Sequence, residues 1–204
     1  MAYDTLPSEE SIERTVAGLT ERGFGVFVVD TRADALKKIR ALIPSGAEIM
    51  TGSSRTLEEV GFIDLLKSGD HPWKNLKDAI LAEKDAAMQA ELRKRSVLAD
   101  YFLGSVHAIT EAGQTITASQ SGSQLPSYAF TSKNVIWVAG AQKIVLDLNE
   151  AFKRIGEYVL PLEDKRMKSL GYPGSSISKL LIYEKEPNPM RKVQMILVRE
   201  ILGF

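Results

Sequence analysis

Two short runs constrain this chain most: Gly25–Val29, GVFVV, and Asn134–Ala139, NVIWVA. Neither alternates apolar with polar residues, so neither suits a strand with one face in water. Strands of this kind are covered on both faces, as in a parallel sheet flanked by helices. The neighbouring segments agree. Ser8–Glu21 is predicted to be a helix, capped by Ser8, with Ile12, Val16 and Leu19 at helical spacing and Gly23 at its end. After the first strand, Asp30 or Thr31 caps a helix with Ala35, Ile39 and Leu42 on one face, stopped by Pro44 and Gly46. Ala47–Thr51 is the next strand, and a helix follows over Thr56–Leu66. Strand, helix, strand, helix with tight joints is the pattern of an α/β domain with a parallel central sheet.

The rest of the chain extends this pattern over one domain, residues 1–204. Trp73–Val97 is predicted to be the longest helix, either an ordinary half-exposed one or one that covers a sheet edge or a partner subunit. Gln114–Ala118 reads as a strand, Ser119–Thr131 as a Ser/Gly/Gln-rich loop, and Lys143–Ile155 as a helix burying Ile144, Leu148, Ala151 and Ile155. Pro161–Gly174 reads as a polar excursion. Ser178–Tyr183 and Gln194–Val198 are strands around a Pro187–Asn188–Pro189 turn.

Charge and composition remove several classes of function. Lys plus Arg equals Asp plus Glu at 26 each, so the global field gives no reason to bind nucleic acid. Without cysteine the chain holds no disulfide and no cysteine-ligated zinc or iron–sulfur centre. His71 and His107 are too few and too far apart in sequence to suggest a histidine-rich metal site, so neither metal nor cofactor is expected. No apolar run approaches the ~18 residues of a membrane span. The N-terminal stretch MAYDTLPSEES is polar and acidic, unlike a secretion signal, which makes the cytoplasm the expected location.

Ile49–Gly61, IMTGSSRTLEEVG, is the first candidate site. An apolar strand end, a Gly/Ser turn and a helix start offer backbone N–H groups and hydroxyls to an anion. Gly52, Ser53, Ser54 and Thr56 are the residues concerned. The helix dipole adds about 0.3–1 kcal/mol for an exposed anion. The run lacks the GK[ST] ending of a Walker loop, which argues against ATP binding of that type. The same residues also suit a plain capped turn, with Glu58 and Glu59 already complementing the dipole. Glu111, in the turn of AITEAGQTIT, is the candidate general base or nucleophile, or else an ordinary turn acid. Gly122 and Ser123 belong to a polar loop able to close over a ligand. Asp100 could position water, a hydroxyl or a cation, or cap a turn. Gly140 and Lys143 follow the strongest strand, at the end of a central parallel strand where α/β sites gather. Lys143 could meet an anion or be a solvated helix charge. Arg166 is an outside candidate for a substrate carboxylate, and His107 is either a proton relay or a satisfied near-core histidine.

These pieces, in this order, resemble a known family. RTVAGLTERGFGVFVVDTRADAL, TGSSRTLEEVG, ADYFLGSVHAITEAGQTI, SGS and NVIWVAGAQKIVLDLNEAFKRI together are similar to the LUD domain, the LutC/YkgG lactate-utilisation family, from about Arg14 to Phe204. The resemblance implies a three-layer, Rossmann-like α/β/α fold of the NagB/RpiA/CoA transferase-like type, with a mainly parallel central sheet and an additional strand pair. In relatives of that fold a Gly/Ser/Thr loop before a helix binds phosphate or another anion, which is the place of Gly52–Thr56. A glutamate in a Glu-x-Gly turn attacks the thioester in CoA transferases, and Glu111 with Gly113 is similar. The family implies a part in L-lactate oxidation to pyruvate beside iron–sulfur partner proteins. Three functions remain open: an accessory protein binding a small carboxylate or phosphate-bearing metabolite, a transferase-like or hydrolytic enzyme using Glu111, and a non-catalytic interaction module, with a homodimer compatible with each.

Overall fold

The computed structural model describes residues 3–204; Met1 and Ala2, the start of the polar N-terminal stretch, lie outside the described residues. Six parallel strands form the main sheet: β1 (Gly25–Val29), β2 (Glu48–Thr51), β3 (Lys74–Asn75), β4 (Tyr101–Gly104), β7 (Asn134–Gly140) and β10 (Lys192–Val198). Their spatial order is β1-β10-β7-β4-β2-β3, and every neighbouring pair is parallel. A second sheet holds β5 (Ala108–Thr110), β6 (Thr115–Ser119), β8 (Ile144–Val145) and β9 (Lys179–Tyr183) in the order β8-β5-β6-β9. The expected additional pair is the β5–β6 antiparallel hairpin, which β8 and β9 extend to four strands.

Strand β7 is buried at every position, as its unbroken apolar sequence requires. Its side chains alternate between two cores. Val135, Trp137 and Ala139 join Ile12, Leu19, Phe24 and Tyr183 on one face. Ile136 and Val138 join Ala35, Ile39, Leu57 and Phe62 on the other. The first core lies under helix α1 (Glu9–Glu21) and the second sheet. The second lies under α2 (Arg32–Leu42), α3 (Arg55–Glu59) and α4 (Phe62–Ser68). A third, smaller cluster of Ala108, Ile116, Val145, Ala151 and Ile155 seats α7 (Leu148–Lys153) against the second sheet. No helix among the described residues is long and apolar enough to cross a membrane.

The helix boundaries depart from expectation where local chemistry competes with periodicity. Thr56–Leu66 is two helices, because Gly61 takes a left-handed conformation between α3 and α4. Trp73–Val97 is broken as well. Lys74–Asn75 pairs with β2, α5 (Leu76–Ala82) ends at an extended Glu83, and Asp85 caps α6 (Ala86–Arg95) by accepting from Met88 N at 2.8 Å. Lys143–Ile155 starts its helix only at Leu148, which Asp147 caps; Ile144 and Val145 pair with β5 instead. Pro161–Gly174 is helical through Ser169 in α8 (Leu160–Ser169), joined to α7 by a π-helical turn over Arg154–Val159. Proline is tolerated in the first turn of a helix because its missing N–H is unpaired there in any case. The Ser119–Thr131 loop closes in a π-helical turn over Ser127–Thr131.

Helix α1 meets the β5–β6 turn backbone to backbone. Gly113 has φ +86°, and a Cβ there would lie 2.2 Å from the Gly18 carbonyl carbon and 2.3 Å from Leu19 N. Gly113→Ala therefore adds both left-handed strain and a clash that no side-chain motion relieves. Its expected cost is about 2 kcal/mol or more, read as a lower urea midpoint with an unchanged m-value.

Candidate functional site

At the C-terminal ends of β2, β4 and β7 the chain leaves the sheet and opens a cavity of about 610 Å³. That edge is where parallel α/β sheets gather ligands. Gly52, Ser53, Ser54 and Arg55 form one wall, and Gly104 to His107 form the floor. Ser119 to Ser121 with Ser123 and Gln124 form a second wall, and α8 contributes Glu163, Arg166 and Met167. Arg93, Lys143, Tyr172 and Phe204 also line it, together with an apolar side that includes Ile155, Val159, Leu160 and Leu170.

Lys143 is the least ordinary member. It is 2% exposed, on a short 3-10 turn rather than a solvated helix. Its ammonium donates to Thr56 Oγ1 at 3.0 Å, Ser105 Oγ at 3.1 Å and the Val106 carbonyl at 3.2 Å. All three partners are neutral, and among the described residues no carboxylate forms an ion pair with it. Burial, and then the nearby Arg154 guanidinium, push its pKa down to about 7. Arg154 is itself fully buried. Its Nη1 donates to the His107 carbonyl at 2.5 Å, its guanidinium lies 5.3 Å from the Tyr158 ring centroid, and Nε and Nη2 have no hydrogen-bond partner among the described residues. Burial pushes its pKa down to about 10.

His107 accepts from Ala118 N through Nδ1 at 3.1 Å. Burial, with Lys143 and Arg154 nearby, pushes its pKa down to about 3, so near neutral pH the ring is uncharged and carries its proton on Nε2. The Ser105 carbonyl accepts from the Tyr128 hydroxyl at 3.1 Å. That contact requires Gly104, because a Cβ there would fall 1.8 Å from the Tyr128 oxygen. Below the floor, Gln142 donates to the Leu202 carbonyl at 2.9 Å and Gly203 N donates to Glu59 Oε2 at 2.7 Å, closing the chain over Thr56.

The candidate residues fall into two groups. Gly52, Ser53, Ser54, Ser123 and Lys143 line the cavity, and Thr56 lies just beneath it, 1% exposed. Ser54 Oγ is taken by capping Leu57 N at 3.3 Å, whereas Ser53 Oγ accepts from Arg166 Nη2 at 3.3 Å. Gly122 carries the turn behind Ser123, with its N–H donating to Ser119 Oγ at 2.9 Å. Gly140 packs against the backbone of Glu200 and Leu202. Asp100 lies at the opposite, N-terminal end of β4, where its carboxylate accepts from Glu48 N at 3.4 Å. Glu111 is not among the lining residues. Its carboxylate accepts from Arg14 Nε at 2.7 Å, Arg14 Nη2 at 2.9 Å and Ser11 Oγ at 2.6 Å, which ties α1 to the β5–β6 turn. The hydrogen bonds from Arg14 hold its pKa below the usual carboxylate range, away from that of a general base near neutrality.

Ser105, Arg93 and Glu163 are among the polar lining residues that sequence reasoning passed over. Ser105 directly follows a central strand, a position that is itself a signal in parallel sheets. Arg93 lies in a run of basic residues at the end of α6 and has no such mark.

Comparison with known proteins adds the lineage. A family model described as the LUD domain matches residues 12–201. No curated protein matches the chain. Among solved structures, one titled as a DUF162 family protein from Deinococcus radiodurans shares the fold at 13% identity and a TM-score of 0.51, covering 95% of this chain and 99% of that one.

Lys143 has a consequence for stability. Between its folded value near 7 and an unfolded value of about 10.4, the unfolded chain holds a proton that the folded chain has lost. Stability therefore rises with pH across that window, and the full cost of the buried charge is felt below pH 7. Lys143→Met removes this dependence. Parallel urea titrations at pH 6.5 and 9.5 are expected to show the parent gaining a few kcal/mol, in order of magnitude, relative to the variant. A constant difference would give Lys143 its ordinary pKa.

Proposed function

The chain belongs to the LUD domain family, and from that membership we propose that it is a small-anion or metabolite-binding accessory protein of the LutC/YkgG lactate-utilisation type. Its role would be in L-lactate oxidation to pyruvate, without carrying the redox centre itself. One observation carries this reading. Four cationic side chains, Arg55, Arg93, Lys143 and Arg166, line the cavity against one carboxylate, Glu163, in a chain of zero formal net charge. Arg55 is answered by Glu58 and Glu59, and Arg166 by Glu163. Arg93 has no ion pair among the described residues, and Lys143, half-protonated near pH 7, has none either, so an entering carboxylate or phosphate meets the unbalanced charge of Arg93 with hydroxyl donors beside it. The Ser53 loop supplies those hydroxyls.

The reading that uses Glu111 as nucleophile has less support, since both carboxylate oxygens are engaged by Arg14 and Ser11. An association with a second copy or an iron–sulfur partner finds support in α5 and α6. Helix α6 buries none of its residues, and Leu81 and Met88 are exposed.

The test is ligand-induced thermal shift with L-lactate, pyruvate and inorganic phosphate. At least one of the three is expected to give a saturable rise in Tm. An Arg93→Ala/Arg166→Ala double variant should then bind at least about tenfold more weakly, the scale of losing one charge-assisted hydrogen bond of 1.5–3 kcal/mol. No saturable shift from any of them, or an equal shift in the double variant, would overturn the reading.

A further inference from the structure

The floor of the cavity holds an arrangement that anion binding does not explain. A buried lysine without a carboxylate is costly, and attracting an anion would be served as well by an exposed one. Here the amine is sunk behind a serine that reaches the cavity. Ser105 is half-buried on the cavity wall, and Lys143 Nζ is 3.1 Å from its Oγ. Thr56 Oγ1 lies 3.0 Å from Nζ and 3.3 Å from Ser105 Oγ, so the three groups hold one another in place. Nucleophile, base and orienting group within hydrogen-bond reach is the geometry of an activated hydroxyl, in which an amine serves as base when it is neutral. His107 shares the same floor, and with Nδ1 occupied by Ala118 N its Nε2–H is the ring's remaining donor.

We propose that Ser105, Lys143 and Thr56 form a serine–lysine nucleophile centre that hydrolyses a carboxylic ester or thioester. Neutral Lys143 takes the Ser105 hydroxyl proton as Oγ bonds to the acyl carbon, and the carbonyl oxygen becomes an oxyanion in the cavity that His107 also lines. The intermediate collapses by breaking the bond to the leaving oxygen or sulfur, which receives the proton from the Lys143 ammonium. Water then attacks the acyl–Ser105 ester, gives its proton to Lys143, and Oγ departs and recovers that proton. The products are a carboxylic acid and an alcohol or thiol, and no oxidant or reductant is consumed. Thr56 acts as a positioning residue through Lys143.

The centre shares the cavity with the anion-binding reading but does not depend on it, and an uncharged reagent tests it alone. Diisopropyl fluorophosphate forms a Ser–O–P bond as fluoride leaves, and an activated serine reacts far faster than an ordinary one. Intact-mass and peptide analysis of the full chain should find one adduct, on Ser105, and none on Ser105→Ala. The labelling rate should rise with pH and reach half its plateau near pH 7, as Lys143 loses its proton. The groups facing Lys143 are His107, Arg154 and Glu59, and the first two titrate near 3 and 10. Lys143→Met should label at least about 10²-fold more slowly, the usual scale for losing a proton acceptor. Circular dichroism checks that this variant folds; if it does not, the Ser105→Ala result and the pH profile decide. No adduct, an adduct elsewhere, or a rate indifferent to pH would overturn the proposal.

Discussion

Strand β7 is bonded on both edges and covered on both faces, and the rest of the molecule is arranged around meeting that demand. A strand so placed admits a polar side chain only where it finds a partner, since an unpaired buried polar group costs about 1–3 kcal/mol; Asn134, at the strand's start, donates to the Asp100 carbonyl at 3.0 Å. Its seven residues are all buried, and odd and even positions feed two separate cores. Polar and reactive groups are thereby driven to the ends of the strands. The carboxyl ends of β4 and β7 deliver Ser105 and Lys143 to the same point from positions 38 apart in sequence. The cavity is a consequence of the sheet, and the charges within it are a consequence of what the strand ends were free to carry.

The layers were legible in the sequence because they depend on hydrophobic pattern alone. NVIWVA announced a doubly covered strand, and Ile12, Ala35 and Ile39 lie inward as their helical spacing predicts. GVFVV corrects the same expectation: it is the edge strand β1, with Gly25 and Val28 exposed and the other three residues half-buried, because an apolar run does not tell an edge from a centre. Boundaries were less legible, since they turn on single side chains competing for backbone groups. Asp85 and Asp147 each capture a backbone N–H and fix a helix start that periodicity cannot locate. Ile144 and Val145 fit a buried helix face or a buried strand equally well, and only the presence of β5 beside them decides for the strand.

The site was legible in part for a related reason. A Gly/Ser turn after a strand advertises itself locally, and Gly52–Ser54 do line the cavity. The environment of a lysine does not. Lys143 has the sequence context of a surface charge, and its burial comes from Thr56, Val106 and the Leu202–Gly203 segment, each remote along the chain. Glu111 illustrates the converse. Its carboxylate is clasped by α1, a contact that the Glu-x-Gly turn does not foretell.

The order of strands has a further meaning for how the chain reaches this state. β10 is the last strand in sequence, yet it lies inside the sheet, between β1 and β7. The first strand made cannot pair with its neighbour until the last one has been synthesised, more than 160 residues later. Until then, the apolar edges of β1 and β7 stand open, and loop closure over most of the chain must precede the contacts that reward it. The sheet is thus held open until β10 emerges, and the nascent chain carries the unpaired edges of β1 and β7 until then, where holdase chaperones or aggregation would act.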